Sequence, residues 1–267
     1  MSFLDALDAS YRLILCDIWG CVHDGVNLYP GAADRLRRWR SEARTVVLIT
    51  NAPRTADAVE RQLLRLGLPR DAWDGIATSG EAGIAALLAL GKPVGFIGTR
   101  EDRSILASRG VEFAEGEVVS DVACTGLFEH LDTPKEHRSI LERLARAGAT
   151  LHCLNPDRIV IHGGVAEPCA GALADIHEAL GGRVAWYGKP HRAIYEHALR
   201  LAGDPPPGDV LAIGDGLQTD VPGAARMGFD CVFVTGGINA GRPFPPDFAE
   251  QEGLGNWQPV AVVDSLR

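Results

Sequence analysis

A chain of 267 residues with 46% hydrophobic content can bury one large core or two modest ones. Its net charge of −9, with no long Lys/Arg run, argues against a nucleic-acid partner, and no apolar stretch approaches the length of a membrane span. Residues 1–11 lack a basic segment followed by an apolar one, so no secretory signal is read and the expected location is the cytoplasm. The six cysteines are scattered without a CxxC pair, several of them inside apolar runs. That pattern suits small buried hydrophobes and argues against a disulfide framework or a zinc site.

In chain order, a short apolar run at 13–16 ends at Asp17, and a helical pattern follows over 32–41. A second run, 46–49, leads into Thr50-Asn51, and helices are predicted over 56–66 and 81–90. The run 94–97 leads into Gly98-Thr99. A helix over 135–147 stops at Gly148, and the run 151–154 opens onto Asn155-Pro156-Asp157. A helix over 170–180 stops at Gly181, the run 184–187 leads into Gly188-Lys189, and a helix over 191–201 stops at Gly203. The run 210–213 leads into Gly214-Asp215 and the run 231–234 into Thr235-Gly236. A last short strand is predicted at 260–263, after a tail rich in Gly and Pro. Runs of this length without alternation fit strands buried on both faces, and their alternation with helices predicts an α/β fold with a parallel sheet.

In such sheets ligands bind beyond the carboxyl ends of the strands, where this sequence places chemistry. Asp17 can attack phosphorus and become an aspartyl-phosphate, or it can simply cap a strand end. Asp17 and Asp215 suit a hard divalent cation if their strands are neighbours, although Asp-Gly is also an ordinary turn. Thr50 and the backbone after it can hold phosphate oxygens at a strand-to-helix junction, a role compatible with capping. Lys189 can neutralise phosphate charge, and Pro190 suits the first turn of the next helix. Lys189 is not a Walker A lysine, because Arg183 stands where that motif needs its first glycine.

The ordered set resembles the four motifs of the haloacid dehalogenase superfamily, and its subclass IIA in particular. That group holds NagD-like, chronophin-type and 4-nitrophenylphosphatase-type hydrolases. The residues that carry the likeness are Asp17-Ile18-x-Gly20 with Pro30-Gly31-Ala32; Thr50-Asn51; Asn155-Pro156-Asp157; Gly188-Lys189-Pro190; and Gly214-Asp215 with Thr219-Asp220 and Gly223-Ala224. The resemblance implies a doubly wound parallel-sheet core with an inserted α/β class II cap. It implies Asp17 as nucleophile and Mg²⁺ ligand, Thr50 and Lys189 on the phosphoryl group, and Asp215 as the second carboxylate at the metal. Asp220 would support Lys189 or the metal shell, and Asn51, Asn155 and Asp157 would contact substrate. Only 33 residues separate Asp17 from Thr50, whereas 139 separate Thr50 from Lys189. The cap is therefore expected at 80–183, with the core at 1–79 and 184–267. A homodimer through the cap would suit the resemblance.

The first motif departs from the family pattern at Trp19, where a second Asp normally protonates the leaving oxygen and later activates water. The Trp19 carbonyl would still suit the metal, since that contact does not need the side chain. His23 and Asp24, in the following loop, are the candidate replacements for the acid/base. Three readings follow. One is a Mg²⁺-dependent phosphatase acting on a sugar phosphate, a nucleotide or a similar metabolite. Another is a catalytically impaired relative that binds a phosphorylated ligand. The last is a different reaction on the same scaffold.

Overall fold

A computed structural model describes residues 3–114, 119–129, 132–162, 165–236 and 243–267. It falls into two compact units, one of Met1–Thr50, Ala56–Ala77 and Lys189–Arg267, the other of Asn51–Thr55 and Thr78–Gly188. The division thus lies at 78 and 188, where the sequence suggests 80 and 183, and the segment after Thr50 goes with the second unit. The strands are β1 (Leu13–Asp17), β2 (Thr45–Thr50), β3 (Gly75–Thr78), β4 (Gly95–Ile97), β5 (Asp121–Cys124), β6 (Thr150–Cys153), β7 (Ile159–His162), β8 (Val165–Pro168), β9 (Arg183–Trp186), β10 (Val210–Gly214), β11 (Asp230–Val234) and β12 (Ala261–Val263). The helices are α1 (Ala32–Ser41), α2 (Ala56–Arg65), α3 (Ser79–Ala89), α4 (Arg100–Ser108), α5 (Arg138–Arg146), α6 (Ala170–Ala179), α7 (Arg192–Leu201), α8 (Asp220–Met227) and α9 (Phe248–Gln251).

In the first unit the sheet order is β12-β11-β10-β1-β2-β3, with β12 through β2 paired in parallel. Every residue of β1 and β10 is buried, as their unbroken apolar runs require of central strands covered on both faces. The chain steps outward from β1 to β3, then returns to the other side of β1 with β10 and steps outward again. The gap between β1 and β10 is therefore the topological switch point, the place where an open parallel sheet forms a crevice at its carboxyl edge. Leu15, Ile49, Ala212 and Phe233 pack one face of this sheet against Ile194 and Tyr195 of α7 and Val221 of α8.

The second unit has a parallel sheet of order β4-β5-β6-β9 and an antiparallel pair, β7-β8. Its core joins Ile97, Val122, Leu151 and Cys153 to Leu141 of α5 and Leu173 of α6. Strands β3, β5 and β8 and helix α4 are not legible as apolar runs, and β7, with a three-residue apolar run at 159–161, is not among the expected strands. β5 has only small residues around one valine, and α4 is largely polar. The signal for α4 lies in its cap, since the Thr99 side chain accepts from the Asp102 N–H. Pro190 precedes the His191 N-cap of α7 and so stands outside the helix rather than in its first turn. Residues 237–242 of the predicted Gly/Pro-rich tail lie outside the described residues. Among the described residues, no helix is long and apolar enough to cross a membrane.

The segment after Thr50 is tied to the start of α3 within the second unit. The Thr78 hydroxyl donates to the Arg54 carbonyl at 2.7 Å, and the Gly80 N–H donates to the Ala52 carbonyl at 3.1 Å. A Cβ at Gly80 would lie 2.3 Å from the Pro53 carbonyl oxygen, so only glycine lets the segment come this close. Gly80→Ala is expected to lower stability by about 1–3 kcal/mol, the usual cost of overpacking, in denaturant unfolding. An unchanged midpoint would contradict this packing.

Candidate active site

The ends of β1 and β10 place two carboxylates beside each other. Cys16 is in register with Ile213, so Asp17 and Asp215 both emerge at the carboxyl edge on either side of the switch point. Asp17 is also in register with Ile49, which puts Thr50 one residue further along on the other neighbour of β1. Asp17 and Asp215 are buried, with 5% and 2% of their surface exposed. Gly20, with φ of 87°, turns the chain against Asp215, and a Cβ there would lie 2.0 Å from the Asp215 Oδ2.

Lys189 enters from the start of the chain's return into the first unit. Its ammonium donates to Asp17 Oδ1 at 2.5 Å and to Asp220 Oδ1 at 2.8 Å, and all three groups are buried. Asp220, which the sequence offers either to the lysine or to the metal, is placed with the lysine. Its second oxygen accepts from the Gly216 N–H at 3.2 Å and the Thr219 hydroxyl at 3.1 Å. Among the described residues, the side chains grouped closely enough to hold an ion do not include Asp220. That group consists of Asp17, Asp215 and Cys21, whose ligand atoms all lie within 4.8 Å of one another. Cys21 was not anticipated as a donor, because a lone buried cysteine reads as packing.

The electrostatics follow from burial. Loss of water pushes the Asp17 carboxyl well above the ordinary carboxylate range, the negative charges of Asp220 and Asp215 push the same way, and Lys189 opposes them. Burial alone would pull the Lys189 ammonium down, but Asp17 and Asp220 together hold it well above its usual value. Two buried carboxylates thus share one ammonium, with the Asp215 carboxylate close to Asp17, so carboxylates outnumber the ammonium. Oxygen donors with surplus negative charge suit a hard divalent cation, so the residues fit such an ion between Asp17 and Asp215.

The loop after Gly20 arranges the candidate acids differently. Asp24 is exposed, and its Oδ1 accepts from the Val26 and Asn27 N–H groups at 2.8 and 2.7 Å. These bonds hold its carboxyl below the ordinary range, so Asp24 is an ionised turn-former, unfit as an acid. His23 is buried, and its Nδ1 accepts from the Gly25 N–H at 2.9 Å, which puts the ring proton of the neutral imidazole on Nε2. The half-buried Trp19 indole meets the His23 ring edge-on, with centroids 5.4 Å apart. In the second unit, Asn51 Nδ2 donates to Asp157 Oδ1 at 2.8 Å, and Asn155 Oδ1 accepts from the Asp157 N–H at 3.1 Å. Asn51, Asn155 and Asp157 therefore form one bonded group, with Asn51 and Asn155 buried.

A family model described as haloacid dehalogenase-like hydrolase matches residues 14–112, and one described as HAD-hydrolase-like matches residues 186–267. A solved haloacid dehalogenase-like hydrolase from Brucella suis 1330 is 34% identical, with a TM-score of 0.85 over 99% of this chain and 98% of that one. The ribonucleotide monophosphatase NagD of Escherichia coli K12 is 26% identical over 88% of this chain and 94% of its own length. The D-glycerol 3-phosphate phosphatase of Mycobacterium tuberculosis is 28% identical over 89% of this chain and 66% of its own length.

A carboxyl whose pKa is raised by folding binds its proton more tightly in the folded chain than in the unfolded one, where it titrates near pH 3.9. The folded state then loses stability as the pH rises from about 4 through the raised value. With divalent ions chelated, Asp17→Asn should unfold at a higher temperature than wild type, by a gap that widens as the pH rises from about 4 towards neutrality. A variant less stable than wild type at every pH would contradict the charge surplus.

Proposed function

Because the chain belongs to the haloacid dehalogenase-like hydrolases, in the NagD-like subclass IIA, we propose that it hydrolyses a small phosphorylated metabolite through an aspartyl-phosphate on Asp17. The observation that carries this reading is the Lys189 ammonium bonded to both Asp17 and Asp220, with Asp215 beside Asp17 at the switch point. Asp17 and Asp215 would hold Mg²⁺, the proposed ion. When bound, Mg²⁺ neutralises charge on the phosphoryl oxygens and aligns the ester for in-line displacement. A carboxylate oxygen of Asp17 forms a bond to phosphorus while the ester oxygen leaves, and water later releases phosphate and restores the carboxylate. Lys189 stabilises the negative charge on the transferring oxygens, and Asp220 keeps that ammonium charged and aimed. Thr50 is proposed to bind the phosphoryl group from the other side of Asp17.

Trp19 carries no titrating group, so the leaving oxygen needs its proton from elsewhere. His23 is the proposed donor through Nε2–H, with Nδ1 fixed by Gly25. A neutral imidazole is a weak acid, so esters with good leaving groups should turn over fastest. Asn51, Asn155 and Asp157 are proposed to recognise the leaving group. The kinship with NagD and with the glycerol 3-phosphate phosphatase supports small phosphate monoesters as substrates.

The test is Mg²⁺-dependent phosphate release from an aryl phosphate, ribonucleoside monophosphates and glycerol phosphate. Wild type should turn over at least the aryl ester, and Asp17→Asn should not. His23→Ala should lower kcat by about 10²-fold on an alkyl ester and less on the aryl ester, since only the poorer leaving group depends on protonation. If no ester is hydrolysed while a phosphate analogue still binds with Mg²⁺, the chain is a ligand-binding relative, and the engaged Trp19–His23 pair is the reason.

A further inference from the structure

Cys21 has no part in the reaction just described, yet its sulfur sits among the charges that define the site. Its Sγ and one oxygen each of Asp17 and Asp215 lie within 4.8 Å of one another, and all three residues are buried. The thiols of Cys16, Cys124, Cys153 and Cys169 donate to backbone carbonyls, as packing cysteines do. Among the described residues, Cys21 alone of the six cysteines is grouped with carboxylates. The backbone explains the placement. The left-handed Gly20 folds the chain closely around the Asp215 carboxylate, and Cys21 follows at once.

We propose that Cys21 is a third protein ligand of the divalent-ion site, which equips that site for a thiophilic ion of the Zn²⁺ class as well as for Mg²⁺. Ligand softness decides between the two. Mg²⁺ keeps to oxygen and retains much of its water, so a neutral thiol adds little to its binding. Zn²⁺ and Co²⁺ take thiolate readily, and one sulfur with two carboxylates is a donor set they accept. On binding, the S–H bond gives its proton to solvent as the sulfur–metal bond forms, and nothing is oxidised or reduced. The two kinds of ion therefore compete for the same carboxylates, and only the softer one engages the sulfur.

The inference rests on Asp17 and Asp215 being the metal site, and the experiment separates the two. Metal-free wild type, Cys21→Ser, Cys21→Thr and Asp215→Asn are titrated with Co²⁺, Zn²⁺ and Mg²⁺, followed by electronic absorption and calorimetry. Wild type with Co²⁺ should show a thiolate-to-cobalt charge-transfer band that both Cys21 variants lack. Those variants should bind Zn²⁺ about tenfold or more weakly while Mg²⁺ affinity moves by less than about threefold. Co²⁺ bound without the band, or Zn²⁺ affinity unchanged in both variants, overturns the role of Cys21. Binding of all three ions left intact by Asp215→Asn would overturn the metal site itself and this inference with it. Thermal unfolding of each metal-free variant shows that the comparison is made between folded proteins.

Discussion

A single ammonium held between two buried carboxylates, with a third beside them, sets the terms for the rest of this molecule. Removing an ion from water costs several kcal/mol even after the protein relaxes, and a pair repays this only when its hydrogen bonds are nearly all made. Here Lys189 meets Asp17 and Asp220, and the second oxygen of Asp220 is met by Gly216 and Thr219. Asp220 is thus well satisfied, while Asp17 lies close to a further buried carboxylate, Asp215. A divalent cation at the proposed site between Asp17 and Asp215 would offset this concentration of negative charge. An ion that binds only the folded chain stabilises it, so metal binding at the proposed site would be coupled to folding.

The sheet gathers these groups from distant parts of the chain. Asp17 closes β1, Thr50 closes β2, and Asp215 follows β10, so three separate crossovers must form before the carboxyl edge exists. Lys189 comes directly after the second unit in sequence, and Asp220 opens α8. The fully buried strands β1 and β10 make the framework stiff, while the reacting groups stand just past their ends. A rigid framework with chemistry on its rim is what an enzyme needs to hold a nucleophile and a cation in one place.

Much of this was legible because buried parallel strands write themselves as unbroken apolar runs. β1, β2, β10 and β11 could be read directly, and with them the residues that follow, Asp17, Thr50 and Asp215. β3, β5 and β8 could not, since four-residue strands with at most two apolar branched side chains carry little pattern, and β7 was not read although 159–161 is a short apolar run. The partners of Asp220 and Asp24 were beyond reach for another reason. An aspartate looks the same in sequence whether it holds a lysine, a metal or its own loop, and only the hydrogen bonds separate these cases. Cys21 was passed over because its meaning comes from Asp215, almost two hundred residues away in sequence.

The central claim is that Asp17 itself carries the phosphoryl group during turnover. The direct test is to quench the protein in acid during steady-state hydrolysis, reduce it with borohydride, and map the peptides by mass spectrometry. Borohydride converts an aspartyl-phosphate to homoserine and leaves a free carboxylate alone. The account requires homoserine at position 17, formed only when substrate and Mg²⁺ are both present. Sustained hydrolysis with Asp17 unmodified at every quench time, or homoserine at another aspartate, would contradict it.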